Sequence, residues 1–354
     1  MKKIKVALKR KPYTVFLSQG DWKSFLKTIK TFLKEKRLFV ITDHRIAKLY
    51  RRKLSKIFNN HFSSVWITIP SGEKQKTLKT CELLFQKLLK NGANRNSLIL
   101  ALGGGVITDI AGFVASIYMR GINHICVPTT LLAQVDAAIG GKTGINLSSG
   151  KNLVGSFHQP KTVLIHTDFL KTLSQGDLSC GLAEVIKYAM ISDKRFFDWL
   201  CKKHKAILNR ESKTLVSMIT KCCEIKARFV ANDEKDHSER LKLNFGHSLA
   251  HAIEAIPAYK KYSHGKAVAM GMVFAAYLSE KRKGTGEGLT SSLKALLKKF
   301  GLPGTWPDFP KKSYQSFLVH DKKGQGEYLK FILLRKIGQA DIVHLKVKEI
   351  LEWL

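Results

Sequence analysis

The residues best able to do chemistry in this 354-residue chain are three histidines and a glutamate. His247 and His251 lie in Asn244-Phe245-Gly246-His247-Ser248-Leu249-Ala250-His251. At i and i+4 they share one face of a helix. His264 follows in Ser263-His264-Gly265, just before another helical pattern. Glu184 is an acidic residue on an otherwise apolar helical face, Gly181-Leu182-Ala183-Glu184-Val185-Ile186-Lys187, with Lys187 one turn further along the same side. Two histidines and a carboxylate leave a fourth position open on zinc, the pattern of a catalytic metal. The spacing leaves open which two of the three histidines are ligands, and surface histidines at this spacing are the competing reading.

A second set of residues suits phosphates. Gly103-Gly104-Gly105-Val106 directly follows a buried strand, and a helix begins at Thr108-Asp109. Glycines there let the backbone approach a diphosphate, and a helix N-terminus favours anions. The spacing is not GxGxxG, and a tight strand-to-helix turn would explain it as well. Two further loops strengthen the nucleotide reading. Asp43 ends an earlier strand, where a carboxylate can bind ribose hydroxyls, and Ser71-Gly72-Glu73-Lys74-Gln75-Lys76 follows another. Loops at strand C-terminal ends form the crevice in which α/β sheets bind ligands. Gly140-Gly141-Lys142-Thr143-Gly144 and Gly150-Lys151-Asn152 read as a polar loop pair. Lys142, Lys151 and Asn152 together can hold a phosphate or carboxylate.

The elements that must carry these residues change character along the chain. Ile4 to Leu8 and Tyr13 to Leu17 read as a hairpin. Short apolar strands follow at Leu38 to Thr42, Val65 to Ile69, Leu98 to Leu102, Ile125 to Val127 and Val163 to Ile165, with helical patterns between most of them. That alternation predicts a parallel sheet covered on both faces. Beyond about Thr167 the patterning is mainly helical: Leu182 to Ile191, Phe196 to Asn209, Leu215 to Asn232, Asn244 to Ile256, Lys266 to Lys283 and Ser291 to Phe300. A late hairpin is expected from Tyr328 to Leu334 with Gln339 to His344. The expected domains are therefore residues 1–167, α/β, and 168–354, mainly α-helical.

Composition bounds the rest. With 61 Lys and Arg against 27 Asp and Glu, the formal net charge is +34. So positive a chain attracts polyanions. The basic residues are nevertheless scattered, with no tail, zinc-finger spacing or RNP-like motif, so a solvated lysine-rich surface is expected and a dedicated nucleic-acid site is not. The longest apolar run, Ala267 to Leu278, is too short to span a bilayer. The basic start, Met1-Lys2-Lys3-Ile4-Lys5, is followed by no long apolar stretch, so no signal peptide is expected. The six cysteines form no CxxC pair, and a reduced, cytoplasmic protein is the simplest expectation.

Taken together these motifs resemble the 3-dehydroquinate synthase family over nearly the whole chain. The strongest stretch runs from Gly103 to Gly155, GGGVITDIAGFVASIYMRGINHICVPTTLLAQVDAAIGGKTGINLSSGKNLVG. GLAEVIKYAMISD from Gly181, LNFGHSLAHAIEA from Leu243 and HGKAVAMGM from His264 also match. The resemblance implies a Rossmann-like N-terminal domain, a helical C-terminal domain and an active site between them. It implies conversion of 3-deoxy-D-arabino-heptulosonate 7-phosphate to 3-dehydroquinate and phosphate, with NAD used catalytically and a divalent metal, zinc or cobalt.

The same resemblance assigns residues. NAD would be bound by Ser71 to Lys76, by Gly105, Val106, Ile107, Thr108 and Asp109, by Thr129 and Thr130, by Lys142 and Lys151, and by Phe169, Leu170, Lys171 and Thr172. The metal would sit on Glu184, His247 and His264, leaving His251 for substrate. Lys226 and Arg240 would hold the substrate carboxylate. Lys142, Asn152, Asn244, His251 and Arg120 would hold its phosphate, Arg120 reaching into the partner subunit's site of a homodimer. Lys187 and Lys322 or Lys323 would be further substrate ligands, and Asp136 would orient a hydroxyl near the nicotinamide. Two positions depart from the family pattern: Thr108 stands where glycine is usual, and Lys266 where an acidic residue is common. The alternatives are another sugar phosphate cyclase, a metal-dependent polyol dehydrogenase that would consume NAD stoichiometrically, and a basic nucleic-acid-binding protein.

Overall fold

Apolar residues spaced two apart along several segments build a sheet whose two faces are both buried. The structure, a computed structural model, describes residues 1–33, 37–59, 63–256, 262–282, 287–308, 311, 324–325 and 328–354. Lys322 and Lys323 lie outside the described residues. The first part of the chain contains β1 (Lys2–Val6), β2 (Tyr13–Ser18), α1 (Trp22–Leu33), β3 (Leu38–Asp43), α2 (His44–Asn59), β4 (Ser64–Ile69), α3 (Leu78–Lys90), β5 (Leu98–Gly103), α4 (Gly105–Ile117), β6 (Asn123–Pro128), β7 (Lys142–Leu147), β8 (Gly150–Phe157) and β9 (Thr162–His166). Among the described residues these form a seven-stranded sheet in the order β1-β2-β9-β6-β5-β3-β4. Only β1 runs antiparallel to its neighbour; the rest are parallel.

Leu38 and Val40 of β3, Leu98, Leu100 and Leu102 of β5, and Ile125 and Val127 of β6 point to one face. There they meet Phe25 and Ile29 of α1 and Leu54 and Phe58 of α2. Each such side chain contributes roughly 1.5–3 kcal/mol when fully buried. The intervening Phe39, Ile41, Ile99 and Ala101 are equally buried on the opposite face. α4, GVITDIAGFVASI, is buried over most of its length, as an all-apolar helix must be.

The strand order fixes where a ligand belongs. The chain steps outward from β3 to β4, returns through α3 to β5 on the other side of β3, and continues to β6. The order thus reverses between β3 and β5, the switch point at which open α/β sheets bind ligands. Asp43 ends one of these strands and Gly103 the other. Thr42 Oγ1 donates to the Leu102 carbonyl across the pair at 2.7 Å.

The remaining elements are α5 (Gln175–Ser192), α6 (Lys194–Leu208), α7 (Ser212–Asn232), α8 (His247–Ala255), α9 (His264–Lys281), α10 (Leu289–Lys299), β10 (Gly324–Gln325), β11 (Tyr328–Lys336), β12 (Gln339–Lys346) and α11 (Val347–Glu352). β10, β11 and β12 form a small antiparallel sheet. The central helix is α9, apolar almost all round and flanked by α5, α8, α10 and β11. Compactness divides the chain into Met1–Leu173 with Leu215–Lys235, and Ser174–Thr214 with Asp236–Leu354. Most of α7 therefore packs with the sheet-bearing unit: Cys223 Sγ lies 3.5 Å from the Gln134 carbonyl, and Lys226 Nζ donates to the Asp136 carbonyl at 2.7 Å. No described helix is long and apolar enough to cross a membrane, and all six cysteines are free thiols.

The structure departs from the sequence expectation at residues 142–157. The expected loop pair is an antiparallel hairpin, β7 with β8. Gly144 and Gly155 face each other in the register. A Cβ on Gly155 would stand only 2.2 Å from the Thr143 carbonyl oxygen. The glycines are needed because the two backbones approach so closely, and glycine in a strand reads as loop in the sequence.

Candidate active site

The helical unit holds the first cluster. α5 buries Glu184 completely, and Lys187, one turn on, is buried beside it and forms an ion pair with Glu184 Oε2. The other Glu184 oxygen lies 3.4 Å from His247 Nε2 and 3.3 Å from His264 Nε2. Neither carboxylate oxygen receives a well-directed hydrogen bond, although both are fully enclosed. Burial opposes the charge of Glu184, but Lys187 and His247 overcome it and hold the carboxyl well below its ordinary range.

Local sequence puts the two imidazoles there. Gly246 takes a left-handed φ of 79° as the residue before α8, and a Cβ on it would meet the Met272 backbone nitrogen at 2.6 Å. Gly265, beside His264, lies against α5; its Cβ would stand 2.4 Å from the Cys180 Cα. Two glycines adjoining two histidines thus let α8 and α9, and α9 and α5, come close enough to face Glu184. His247 Nδ1 lies 3.2 Å from the Phe245 carbonyl. A carbonyl only accepts, so Nδ1 carries the hydrogen and Nε2 keeps its lone pair toward Glu184.

His264 Nδ1 lies 3.5 Å from Glu254 Oε1. Burial works against a charge on His264, but Glu184 and Glu254 reverse the balance and push its pKa up to about 10. Sequence reasoning passed over Glu254. The available signal was its spacing, two helical turns after His247 and hence on the same face. His251, by contrast, is exposed, its ring 5.7 Å from that of His247 and edge-on to it. Arg240 is buried in the short helical turn Glu239–Asn244, and Asn244 is half-buried at its end.

The sheet-bearing unit holds the second cluster. Asp43 Oδ1 accepts from Ser71 Oγ at 2.8 Å and from the Ile46 backbone at 3.0 Å, tying the loop after β4 to the end of β3. Gly104 precedes α4 and makes no side-chain cap. Thr108 is buried and spends its hydroxyl inside the helix, on the Gly105 carbonyl at 3.0 Å. Lys76 is buried, and its Nζ donates to Asp109 Oδ2 at 2.8 Å and to Asn152 Oδ1. Burial pushes the Asp109 carboxyl up, against the pull of Lys76. Asn152 is held in a left-handed conformation, φ 54°, with its backbone N–H on Asn146 Oδ1.

Lys142 and Lys151 are exposed on the hairpin. Thr129 is buried, and Thr130 Oγ1 accepts from the Ala133 backbone, starting the π-helical turn Ala133–Ala137 that carries Asp136. Lys226, buried on α7, pairs with the Asp136 carboxylate. Phe169 and Leu170 have their side chains in the core, while Lys171 and Thr172 are exposed, Thr172 Oγ1 sharing a hydrogen with Tyr50 at 2.5 Å. Arg120 is exposed, and it and Met119 both adopt left-handed backbone, φ 67° and 49°. Such consecutive strain at non-glycine residues is characteristic of functional sites.

A parallel α/β sheet with its crevice at a switch point, followed by a helical unit enclosing a carboxylate and two imidazoles, defines a dehydroquinate synthase-like protein. The family model "3-dehydroquinate synthase N-terminal" matches residues 66–180, and "3-dehydroquinate synthase C-terminal" matches residues 181–324. The chain belongs to the 3-dehydroquinate synthase family. A 3-dehydroquinate synthase of Thermoanaerobacter pseudethanolicus is 40% identical over 352 residues, covering 99% of each chain. Among solved structures, a 2-deoxy-scyllo-inosose synthase complexed with carbaglucose-6-phosphate, NAD+ and Co2+ superposes with a TM-score of 0.86 at 26% identity, over 99% of this chain and 98% of that one. ValA, a 2-epi-5-epi-valiolone synthase from Streptomyces hygroscopicus subsp. jinggangensis 5008 with NAD+ and Zn2+ bound, gives 0.88 at 26% identity, over 98% and 97%.

Proposed function

We propose that this chain is a phosphate-eliminating lyase that converts 3-deoxy-D-arabino-heptulosonate 7-phosphate to 3-dehydroquinate and phosphate, with NAD and a divalent metal, zinc or cobalt. The observation that carries the metal is the spacing around Glu184. Ligands at zinc's usual 2.0–2.2 Å in a tetrahedron stand about 3.4 Å apart. Glu184 Oε1 lies 3.4 and 3.3 Å from the two Nε2 atoms, and all three donor atoms fall within 4.8 Å of one another. A buried carboxylate oxygen facing two imidazole Nε2 atoms at these distances is the donor set a divalent cation completes. Glu184, His247 and His264 would hold it.

For NAD, the support is the uncapped start of α4 between close-packed glycines, with Asp43 and the Ser71 to Lys76 loop at the neighbouring strand ends. The backbone N–H groups of the turn suit a diphosphate, and Asp43 suits ribose hydroxyls. When bound, NAD supplies reversible hydride transfer at one substrate carbon, and the metal supplies Lewis-acid polarisation of a substrate oxygen.

The chain's own residues do the rest. Lys226 and Arg240 bind the substrate carboxylate by charge-assisted hydrogen bonds. Asp136, oriented by Lys226, accepts from a substrate hydroxyl. Lys142, Asn244 and His251 serve the phosphate. So does Asn152: Lys76 takes its Oδ1, which leaves the amide Nδ2 to donate. Lys187 neutralises the second oxygen of Glu184, leaving Oε1 for the metal. Arg120 completes the phosphate site of the partner in a homodimer; its exposed, strained position supports this. The free thiols accord with a cytoplasmic location.

The test is to supply the heptulosonate phosphate with NAD well below the enzyme concentration and count phosphate released. Many phosphates per NAD are expected, because the hydride returns to the same substrate molecule. One phosphate or fewer per NAD, with NADH accumulating, would refute the reading in favour of a polyol-type dehydrogenase.

A further inference from the structure

We propose that Glu254 is a positioning residue for the metal: its carboxylate holds His264 through Nδ1 so that Nε2 faces Glu184. The inference rests on the reading of Glu184, His247 and His264 as metal ligands. The two histidines are anchored differently. His247 Nδ1 meets a backbone carbonyl at 3.2 Å, a partner that comes with the chain. His264 is the first residue of α9, and Ser263 before it makes no side-chain cap. What stands behind its Nδ1 is Glu254 Oε1, at 3.5 Å, on a side chain only 10% exposed.

A carboxylate that far from water is costly unless it accepts hydrogen bonds from a donor. The carboxylate also decides the tautomer. A carboxylate accepts only, so with a cation between Nε2 and Glu184 the hydrogen of the neutral imidazole would sit on Nδ1, toward Glu254, and the lone pair would be left on Nε2. Carboxylates behind metal-bound histidines act in this way, and losing one typically costs 10–100-fold in metal affinity. One helix, α8, thus delivers both a ligand, His247, and two turns later the group that orients a ligand on another helix.

The experiment measures zinc affinity by competition with a chromogenic chelator, on the full chain stripped and reloaded. Glu254→Ala should weaken zinc about 10–100-fold. Glu254→Gln keeps an acceptor oxygen and should recover most of that loss. Because Glu254 acts through His264, adding Glu254→Ala to His264→Ala should cost nothing more. Zinc affinity of Glu254→Ala within twofold of the parent would overturn the proposal. So would an equal penalty in the His264→Ala background, which would mark Glu254 as a general brace between helices. If Glu254→Ala does not fold, cobalt-loaded Glu254→Met, which fills similar space without an acceptor oxygen, decides: a changed ligand-field absorption supports the proposal, and an unchanged spectrum with unchanged affinity sinks it. If His264→Ala binds zinc like the parent, the metal reading itself fails, a result distinct from failure at Glu254 alone.

Discussion

Replacing Gly271 by alanine should damage the metal cluster although the position carries no functional group. A Cβ at Gly271 would stand 2.0 Å from the Gly246 carbonyl oxygen and 3.2 Å from the Ala250 nitrogen, and that carbonyl accepts the first helical hydrogen bond of α8, from Ala250. An ordinary van der Waals contact lies near 3.5 Å, so α8 and α9 must separate by roughly 1.5 Å. Neither contact atom is a side-chain end that could swing aside. His247 follows Gly246 directly, and metal–ligand distances tolerate only about 0.2 Å. Gly271→Ala should therefore weaken zinc at least 10-fold, in the manner of lost supporting contacts. It should also cost about 1–3 kcal/mol of stability through overpacking. Zinc competition and denaturant unfolding of the metal-free protein read the two effects separately. The control is Gly176→Ala, in the first turn of α5, the helix that carries Glu184. A Cβ there meets nothing nearer than the Ser174 hydroxyl at 4.0 Å. It should leave zinc affinity unchanged and be neutral or slightly stabilising. Parent-like zinc affinity and stability in Gly271→Ala would refute the packing argument.

Glu184→Ala, His247→Ala and His264→Ala should each lower bound metal by elemental analysis, whereas His251→Ala should keep the metal and lose turnover; metal loss in His251→Ala with retention in His264→Ala would reverse the ligand assignment. The metal-free protein should carry a proton on His264, whose pKa is raised from 6.5 to about 10. That proton stabilises the metal-free fold fully below about pH 6.5 and the effect fades as pH rises through about 10. Because zinc needs neutral imidazole, uptake near neutral pH should release about one proton from this residue. Calorimetry in two buffers of different ionisation enthalpy measures it, and zero release would contradict the pairing with Glu184 and Glu254. Finally, mixing inactive Arg120→Ala and Lys226→Ala subunits under exchange should restore roughly a quarter of parental activity if Arg120 serves the partner's site, because half the dimers are mixed and each has one intact site. No recovery with exchange verified would place Arg120 in its own subunit's site.

Local chemistry made much of this protein legible before any coordinates. The alternation of apolar strands with helices implied a parallel sheet, because strands buried on both faces must be apolar throughout. The glycine run after β5 and Asp43 after β3 marked strand ends, and Glu184 stood out as a charge on an apolar helix. What the sequence could not decide is anything set by distance between remote segments. His247, His251 and His264 are equally plausible ligands by spacing. Only the crossing of α8 and α9 at Gly246 and Gly271, and of α9 and α5 at Gly265 and Cys180, brings two of them to Glu184 and leaves the third exposed. The hairpin of β7 and β8 was hidden because the glycines that allow its strands to close also lower its strand propensity. Glu254, and the burial of Lys76 against Asp109, were hidden for a related reason. A lysine in a polar loop and a glutamate on a helix are expected in solvent, and tertiary packing alone buries each against the partner that gives it a role.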